Sequence, residues 1–241
     1  MVRRWKIWRN GAKRRCDPEF RRDTVKPLQL ATANERLSVL CLGAHSDDIE
    51  IGVGATLLSL MLQGVRLEVQ WCVLSAGGQR EAEAKASAEE FLVHAEMAHV
   101  DLMSFEDGFF PEQGGTIKRW FEQLKLSNKP DIIFTHFRND AHQDHREVSR
   151  LTWNTFRDNV ILEYEIPKWD GDLGQPNVFM PISAGTLDRK IDLIVKHFRS
   201  QRDKHWFNDE TFRALARLRG VESRAIEGYA EAFFAHKLVL S

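Results

Sequence analysis

Two short clusters hold most of the residue types that could do chemistry. His45, Asp47 and Asp48 lie in the run Ala44-His45-Ser46-Asp47-Asp48, and Asp140, His142, Asp144 and His145 lie in Asp140-Ala141-His142-Gln143-Asp144-His145. Two imidazoles and a carboxylate are the donor set of a catalytic zinc whose fourth position is left for water. In a turn or a first helical turn, residues three apart face the same way. That pairs His45 with Asp48 and His142 with His145, and it leaves Asp47 pointing elsewhere, free for proton transfer. An Asp-Asp pair after a strand is also how receiver-type phospho-acceptor domains hold magnesium, which prefers oxygen ligands. His45 beside the pair, and two more histidines in the second cluster, weigh against that non-catalytic alternative. His136 reads as a hydrogen-bonding or core histidine, and His94, His99, His205 and His236 as surface residues.

Each cluster needs an element to hold it. The apolar run 37–42 reads as a buried strand, because parallel strands covered on both faces are almost continuously hydrophobic. It stops at Gly43 and leads directly into the first cluster. Beyond Gly52 and Gly54 the pattern predicts a helix over 55–63, then a strand over 66–74, a helix over 79–93, a short strand over 100–105 and a helix over 116–126. A fourth strand over 131–135 leads into the second cluster. A helix over 147–157, strands over 160–166 and 177–181, a helix over 186–198, a mixed segment and a strand over 229–234 complete the chain. The loop 168–176, with Trp169, is placed to shape a substrate pocket. Alternating strands and helices imply an α/β fold, a Rossmann-like, mainly parallel sheet flanked by helices. The active site then falls at the carboxyl edge of the strands, where open α/β sheets bind their ligands.

Composition narrows the class further. A chain of 241 residues, 43% hydrophobic and 29% charged, suits one large domain with a real core. A net charge of -1 argues against a nucleic-acid partner, whose binding face would be basic. Positive charge is instead concentrated at the start, where residues 1–36 carry eleven Lys or Arg against four Asp or Glu. Residues 1–34 accordingly read as a basic N-terminal extension and 35–241 as a single catalytic domain. No apolar run approaches the ~20 residues of a membrane span, and there is no signal-peptide h-region. Cys16, Cys41 and Cys72 lack metal-binding spacing and read as free thiols of a reducing compartment, so the expected location is cytoplasmic. Homo-oligomerisation is left open.

The run Ala44-His45-Ser46-Asp47-Asp48-Ile49-Glu50-Ile51-Gly52-Val53-Gly54-Ala55-Thr56-Leu57 resembles the A-H-P-D-D-x-x-x-G-x-G-G-T signature of the LmbE-like, or PIG-L, zinc-dependent N-acetylglucosaminyl deacetylases. Asp140 to His145 is similar to their second signature, D-x-H-x-D-H. Agreement extends to Arg80, Glu83 and Asp107, covering roughly residues 37–160, and it thins out beyond. His197 to Gln201 and Tyr229 to Phe233 also resemble C-terminal features of the family. Ser46 stands where the family usually has Pro, and Ala55 where it has Gly.

The resemblance implies one Zn2+ per chain held by His45, Asp48 and His145, and Asp47 as general base. It implies that His142 stabilises the oxyanion or protonates the leaving amine. Asp144 would hold the His142 tautomer and keep that ring cationic, while Arg80 and Asp107 would touch the sugar or what it is attached to. The activity implied is removal of the N-acetyl group from an N-acetylglucosamine-type amino sugar or its conjugate. The residues alone leave open a zinc amidase acting on a non-sugar acylated amine.

Overall fold

The computed structural model describes residues 25–239. The basic extension expected over 1–34 therefore lies, up to residue 24, outside the described residues. Seven strands and six helices follow in the order β1 (Arg36–His45), α1 (Asp48–Leu62), β2 (Arg66–Ser75), α2 (Gln79–Phe91), β3 (Met97–Leu102), α3 (Gly114–Ser127) and β4 (Ile132–His136). Then come α4 (Gln143–Thr155), β5 (Val160–Tyr164), β6 (Val178–Ile182), α5 (Ala184–His197), α6 (Asp209–Glu222) and β7 (Tyr229–Ala235).

The strands form one sheet in the order β3-β2-β1-β4-β5-β7-β6. β1 to β5 pair in parallel, and β7 runs antiparallel to both β5 and β6. The mainly parallel α/β sheet expected from the sequence is thus what forms. From β1 the chain adds β2 and β3 on one side and then crosses to add β4 and β5 on the other. The strand order reverses between β1 and β4, which makes the crevice at their carboxyl ends the natural ligand site.

Alternate residues of β1 face opposite sides, as strand geometry requires. Leu37, Val39 and Cys41 join a core with residues of α1, α2, α5 and α6. Leu40, Leu42 and Ala44 join a second core with residues of α3 and α4. The central strands are therefore covered on both faces, which is why they read as unbroken apolar runs.

Three elements differ most from the sequence reading, and β3 lies three residues earlier than the expected 100–105. α1 begins at Asp48, not at 55, because Gly52 and Gly54 are not breakers here. A Cβ on Gly52 would lie 2.2 Å from the Tyr164 ring, and one on Gly54 2.8 Å from Phe91. The glycines let the helix press against β5 and α2. α4 likewise starts at Gln143, which puts Asp144 and His145 in its first turn. α6, read as a mixed segment, packs Phe212, Ala216, Arg219 and Gly220 inward. A buried arginine and a glycine blur its apolar stripe, and Asn208 caps it by accepting the Thr211 N–H.

These contacts predict that Gly52→Ala, by forcing a methyl into the Tyr164 ring, destabilises the protein by about 1–3 kcal/mol, as overpacked cores do. Gly77, which has nothing near its Cβ position, serves as the control. Gly77→Ala should stay within about 0.5 kcal/mol in the same denaturant titration.

Candidate metal centre

Both clusters converge at the β1–β4 crevice. His45 is the last residue of β1, and Asp48 sits in the first turn of α1 with its carboxylate accepting the His45 backbone N–H at 2.6 Å. His145, in the first turn of α4, brings its Nε2 to 3.1 Å from His45 Nδ1 and 3.5 Å from Asp48 Oδ2. His45 Nδ1 lies 3.4 Å from the same carboxylate oxygen. Metal–donor distances of about 2.0–2.2 Å in a tetrahedron separate neighbouring donors by about 3.2–3.5 Å. The three sides of this triangle therefore match the spacing that one zinc ion imposes on two imidazoles and a carboxylate. All three residues are buried.

The protonation states suit that use. Burial pushes His145 down to about 3, and the neighbouring His136 ring adds to the effect. Its imidazole is thus neutral, with a lone pair to give. Burial would raise the Asp48 carboxyl, but the His145, His136 and His45 rings outweigh it and hold the group well below the ordinary carboxylate range. Burial would likewise lower His45, yet the charge of Asp48 and the contacts with Asp107, Asp144 and Asp48 carry it well above the usual imidazole value. Without a metal, a proton on His45 supplies the positive charge that the carboxylates demand. A divalent cation would displace that proton.

Each candidate histidine ligand is also held from behind. His145 Nδ1 faces Asp140 Oδ2 at 3.0 Å, an arrangement that fixes the ring tautomer and leaves Nε2 as the ligand atom. Asp140 is itself fixed by the Lys168 ammonium at 3.0 Å and by the His142 N–H at 2.7 Å. His45 Nε2 faces Asp107 Oδ1 at 3.0 Å and Asp144 Oδ2 at 3.3 Å. The Asp144 carboxylate also accepts the N–H groups of Gly108 and Phe110, at 2.7 and 3.1 Å.

The expected hold of Asp144 on His142 is therefore not the one observed. His142 caps α4, and its Nδ1 accepts the Asp144 backbone N–H at 3.3 Å, while the carboxylate turns to His45. Nor is His142 kept cationic. Burial, and then the charge on His45, lower it below the usual imidazole value. A neutral ring accepting at Nδ1 carries its proton on Nε2, where it can donate.

Asp47, next to Asp48 in sequence, behaves oppositely. Burial and the Asp48 charge raise its carboxyl above the ordinary value, against the pull of Arg80, Lys204 and His45. Arg80, in the first turn of α2, bridges Asp47 and Asp107 at 3.3 Å each. His45, Asp47, Asp48, Arg80, Asp107, His142 and His145 line one cavity, and Asp144 sits behind its wall. The opposite wall is formed by Ile166, Lys168, Trp169, Asp170, Lys204 and Trp206. Trp169 meets Trp206 edge to face, with ring centroids 6.2 Å apart.

His136 is fully buried and accepts the Ala44 N–H at 2.9 Å, a core hydrogen-bonding histidine as its position after β4 suggests. Sequence reasoning gave no role to Asp140, Lys204 or Trp206, and placed Lys168 only within the loop expected to shape the pocket. Asp140 is the first letter of the second signature, and the motif itself could have flagged it. The others lie where the sequence offers no comparable pattern.

Comparison with known proteins agrees with this geometry. Residues 40–156, which contain both clusters, match the PIG-L family, described as GlcNAc-PI de-N-acetylase. The uncharacterized deacetylase YaiS of Escherichia coli K12 is 28% identical over 182 residues, covering 70% of this chain and 94% of that protein. The N,N'-diacetylchitobiose deacetylase of Pyrococcus horikoshii shares the fold with a TM-score of 0.59 at 18% identity, covering 82% of this chain and 83% of that one. GalB, a 4-carboxy-2-hydroxymuconate hydratase from Pseudomonas putida KT2440, shares it with a TM-score of 0.62 at 17% identity, covering 85% and 98%. The fold thus supports more than one water-adding chemistry. Residues 40–156, just under half of the chain, thus match the PIG-L family, with both signatures inside the matched segment and their residues gathered at one crevice.

Proposed function

We propose that this protein is a zinc-dependent N-deacetylase acting on an N-acetylated amino sugar of the N-acetylglucosamine type, free or conjugated. The observation that carries the reading is the triangle of His45 Nδ1, Asp48 Oδ2 and His145 Nε2 with the Asp47 carboxylate beside it. The nitrogen-rich donor set favours zinc over magnesium, which prefers oxygen. This also speaks against the receiver-like alternative. The description of the matched family and the name of the Escherichia coli relative support deacetylation in particular.

In this reading His45, Asp48 and His145 hold one Zn2+. Bound there, zinc would supply Lewis acidity and make a water at the site more acidic, towards a pKa of ~7. Asp47, its carboxyl raised by burial and by Asp48, takes the proton from the attacking water. His142 donates from Nε2 to the oxygen that gains charge, and the proton collected by Asp47 passes to the departing amine. Arg80 orients Asp47 through their contact. Arg80 and Asp107 present their remaining hydrogen-bonding capacity to sugar hydroxyls. The Trp169 and Trp206 indoles offer the apolar faces against which a sugar ring packs. Acetate and a free amine leave.

The partner is thus a small amino-sugar molecule, with no nucleic acid involved. Among the described residues no helix is long and apolar enough to cross a membrane. Buried free thiols at Cys41 and Cys72 fit a reducing compartment, and we place the protein in the cytoplasm.

Metal analysis should find about one zinc per chain, and acetate should appear when the protein meets a panel of N-acetylhexosamine derivatives. Preference for a non-sugar acylated amine would make it an amidase instead, and failure to release acetate from any substrate would refute deacetylation. His145→Ala should lose both metal and activity.

The neighbouring carboxylates should separate. Asp47→Asn keeps zinc while losing roughly 10²-fold to 10⁴-fold in rate, the range of general acid–base catalysis. Asp48→Asn loses metal affinity first, and added zinc partly restores its activity. Because Asp47 works ionised, kcat/KM should rise with pH through a value above the ordinary carboxylate range. That limb should vanish in Asp47→Asn, and its persistence there would assign the base to another group.

Asp140→Asn should leave the fold intact and weaken zinc binding about 10- to 100-fold, as loss of a partner behind a metal-binding histidine does. Unchanged affinity in a chelator competition would remove Asp140 from the site.

A further inference from the structure

The helix that carries Asp48 is gripped in its interior by two buried charges from the far end of the chain. Glu231, in β7, accepts the backbone N–H groups of Ala55 and Thr56 at 3.0 and 2.7 Å and the Thr56 hydroxyl at 2.6 Å. Lys190, in α5, donates to the backbone carbonyl of Ile51 at 2.6 Å and to Glu231 at 2.6 Å. Both side chains are buried, at 5% and 6% exposure. In an uninterrupted α-helix the Ala55 N–H would have the Ile51 carbonyl to itself. Here an acceptor and a donor are inserted at that same rung. Side chains entering the i→i−4 ladder are one of the few causes of a bend in a helix.

The rung lies immediately beyond the turn that carries the site. The Ile51 N–H donates to Asp47 O at 3.1 Å, so Asp47 to Ile51 form the first turn, and the insertion follows it. Gly52 packs against Tyr164 at the same level. Two backbone N–H groups and one carbonyl of the helix thus also bond a buried ion pair, contacts that a continuous helix does not need for its own hydrogen bonding. Replacing such a pair by apolar side chains of similar volume is often neutral or stabilising.

We propose that Glu231 and Lys190 are positioning residues. They act through the first turn of α1, setting the direction in which the Asp48 carboxylate meets His45 and His145 and in which Asp47 faces the cavity. The inference rests on the metal-site reading above. It gives the C-terminal part of the chain, outside the family-matched segment, a role in a site whose ligands all come from the first 145 residues.

The test is the double variant Lys190→Met, Glu231→Leu, which keeps the side-chain volumes and removes the polar contacts to the helix backbone. Zinc affinity is measured by chelator competition, thermal unfolding alongside it, and kcat and KM on the best N-acetylated substrate. The parent chain is measured first, because a parent that binds no zinc removes the metal-site reading and this inference together. The expected result is a melting temperature at or above the parent's, zinc binding weakened at least tenfold, and kcat lowered with KM little changed. Parent-like zinc affinity and kcat in the folded double variant would show that the pair serves stability alone and overturn the proposal. Should the double variant not fold, Thr56→Val removes one contact to Glu231 while keeping the residue's shape. A fall of about fivefold in zinc affinity, the worth of one hydrogen bond, supports positioning, and no change refutes it.

Discussion

The site depends on keeping one buried carboxylate ionised. Asp48 is 3% exposed, and an isolated charge at such depth costs far more than a fold can supply. Three sources offset the cost. The His45 backbone N–H donates at 2.6 Å. The first turn of α1 adds the positive end of a helix dipole. The imidazoles of His45, His136 and His145 stand within 3.5 Å of the same oxygen, Oδ2. These rings come from the end of β1, the end of β4 and the start of α4, which meet because β1 and β4 are neighbours where the strand order reverses. Topology thus gathers the three rings around one carboxylate, where the proton on His45, or a cation in its place, supplies the counter-charge.

The same arrangement splits two adjacent aspartates into different chemical tools. With the imidazoles gathered on Asp48, its carboxyl is held low and suits a cation. Asp47, one residue earlier, is raised by burial and by the charge of Asp48, which outweigh the pull of Arg80. Two neighbouring carboxyls driven apart in pKa by their surroundings are a recurrent sign of an acid–base assignment. Arg80 limits the separation by bridging Asp47 to Asp107, which favours the ionised form of Asp47.

Much of this was legible in the residues. The strands before both clusters stood out because they are buried on both sides, and the clusters combined ligand types with three-residue spacing that survives folding. What was not legible shares a physical cause. Gly52 and Gly54 looked like breakers because a sequence does not show that the Tyr164 and Phe91 rings need the space. α6 was missed because Arg219 points inward to a buried Glu165, contacting it at 2.7 Å, so that a charge occupies the apolar face. The turn of the Asp144 carboxylate toward His45 depends on the Gly108 and Phe110 amides, 34 to 36 residues away in sequence. Each is a long-range contact that overrides a sound local rule.

The division of the chain follows from the same logic. The candidate metal ligands, with the proposed base and oxyanion donor, all lie in the family-matched stretch 40–156, each at a strand end or at the start of a helix. The opposite wall of the cavity comes entirely from later residues, Ile166 to Asp170 and Lys204 to Trp206, which lie on connections rather than on sheet strands. Connections can change length and composition without disturbing the core. Within that wall Lys168 is tied to Asp140 and Asp172, so part of it is anchored to the support of the metal-facing histidine. Lys204 has no carboxylate partner among the described residues, and its ammonium stands 5.5 Å from the centre of the Trp206 ring. In the proposed reading the chemistry is thus built on the edge of the sheet, while selection of what the acyl amine is attached to falls to the loops that face it.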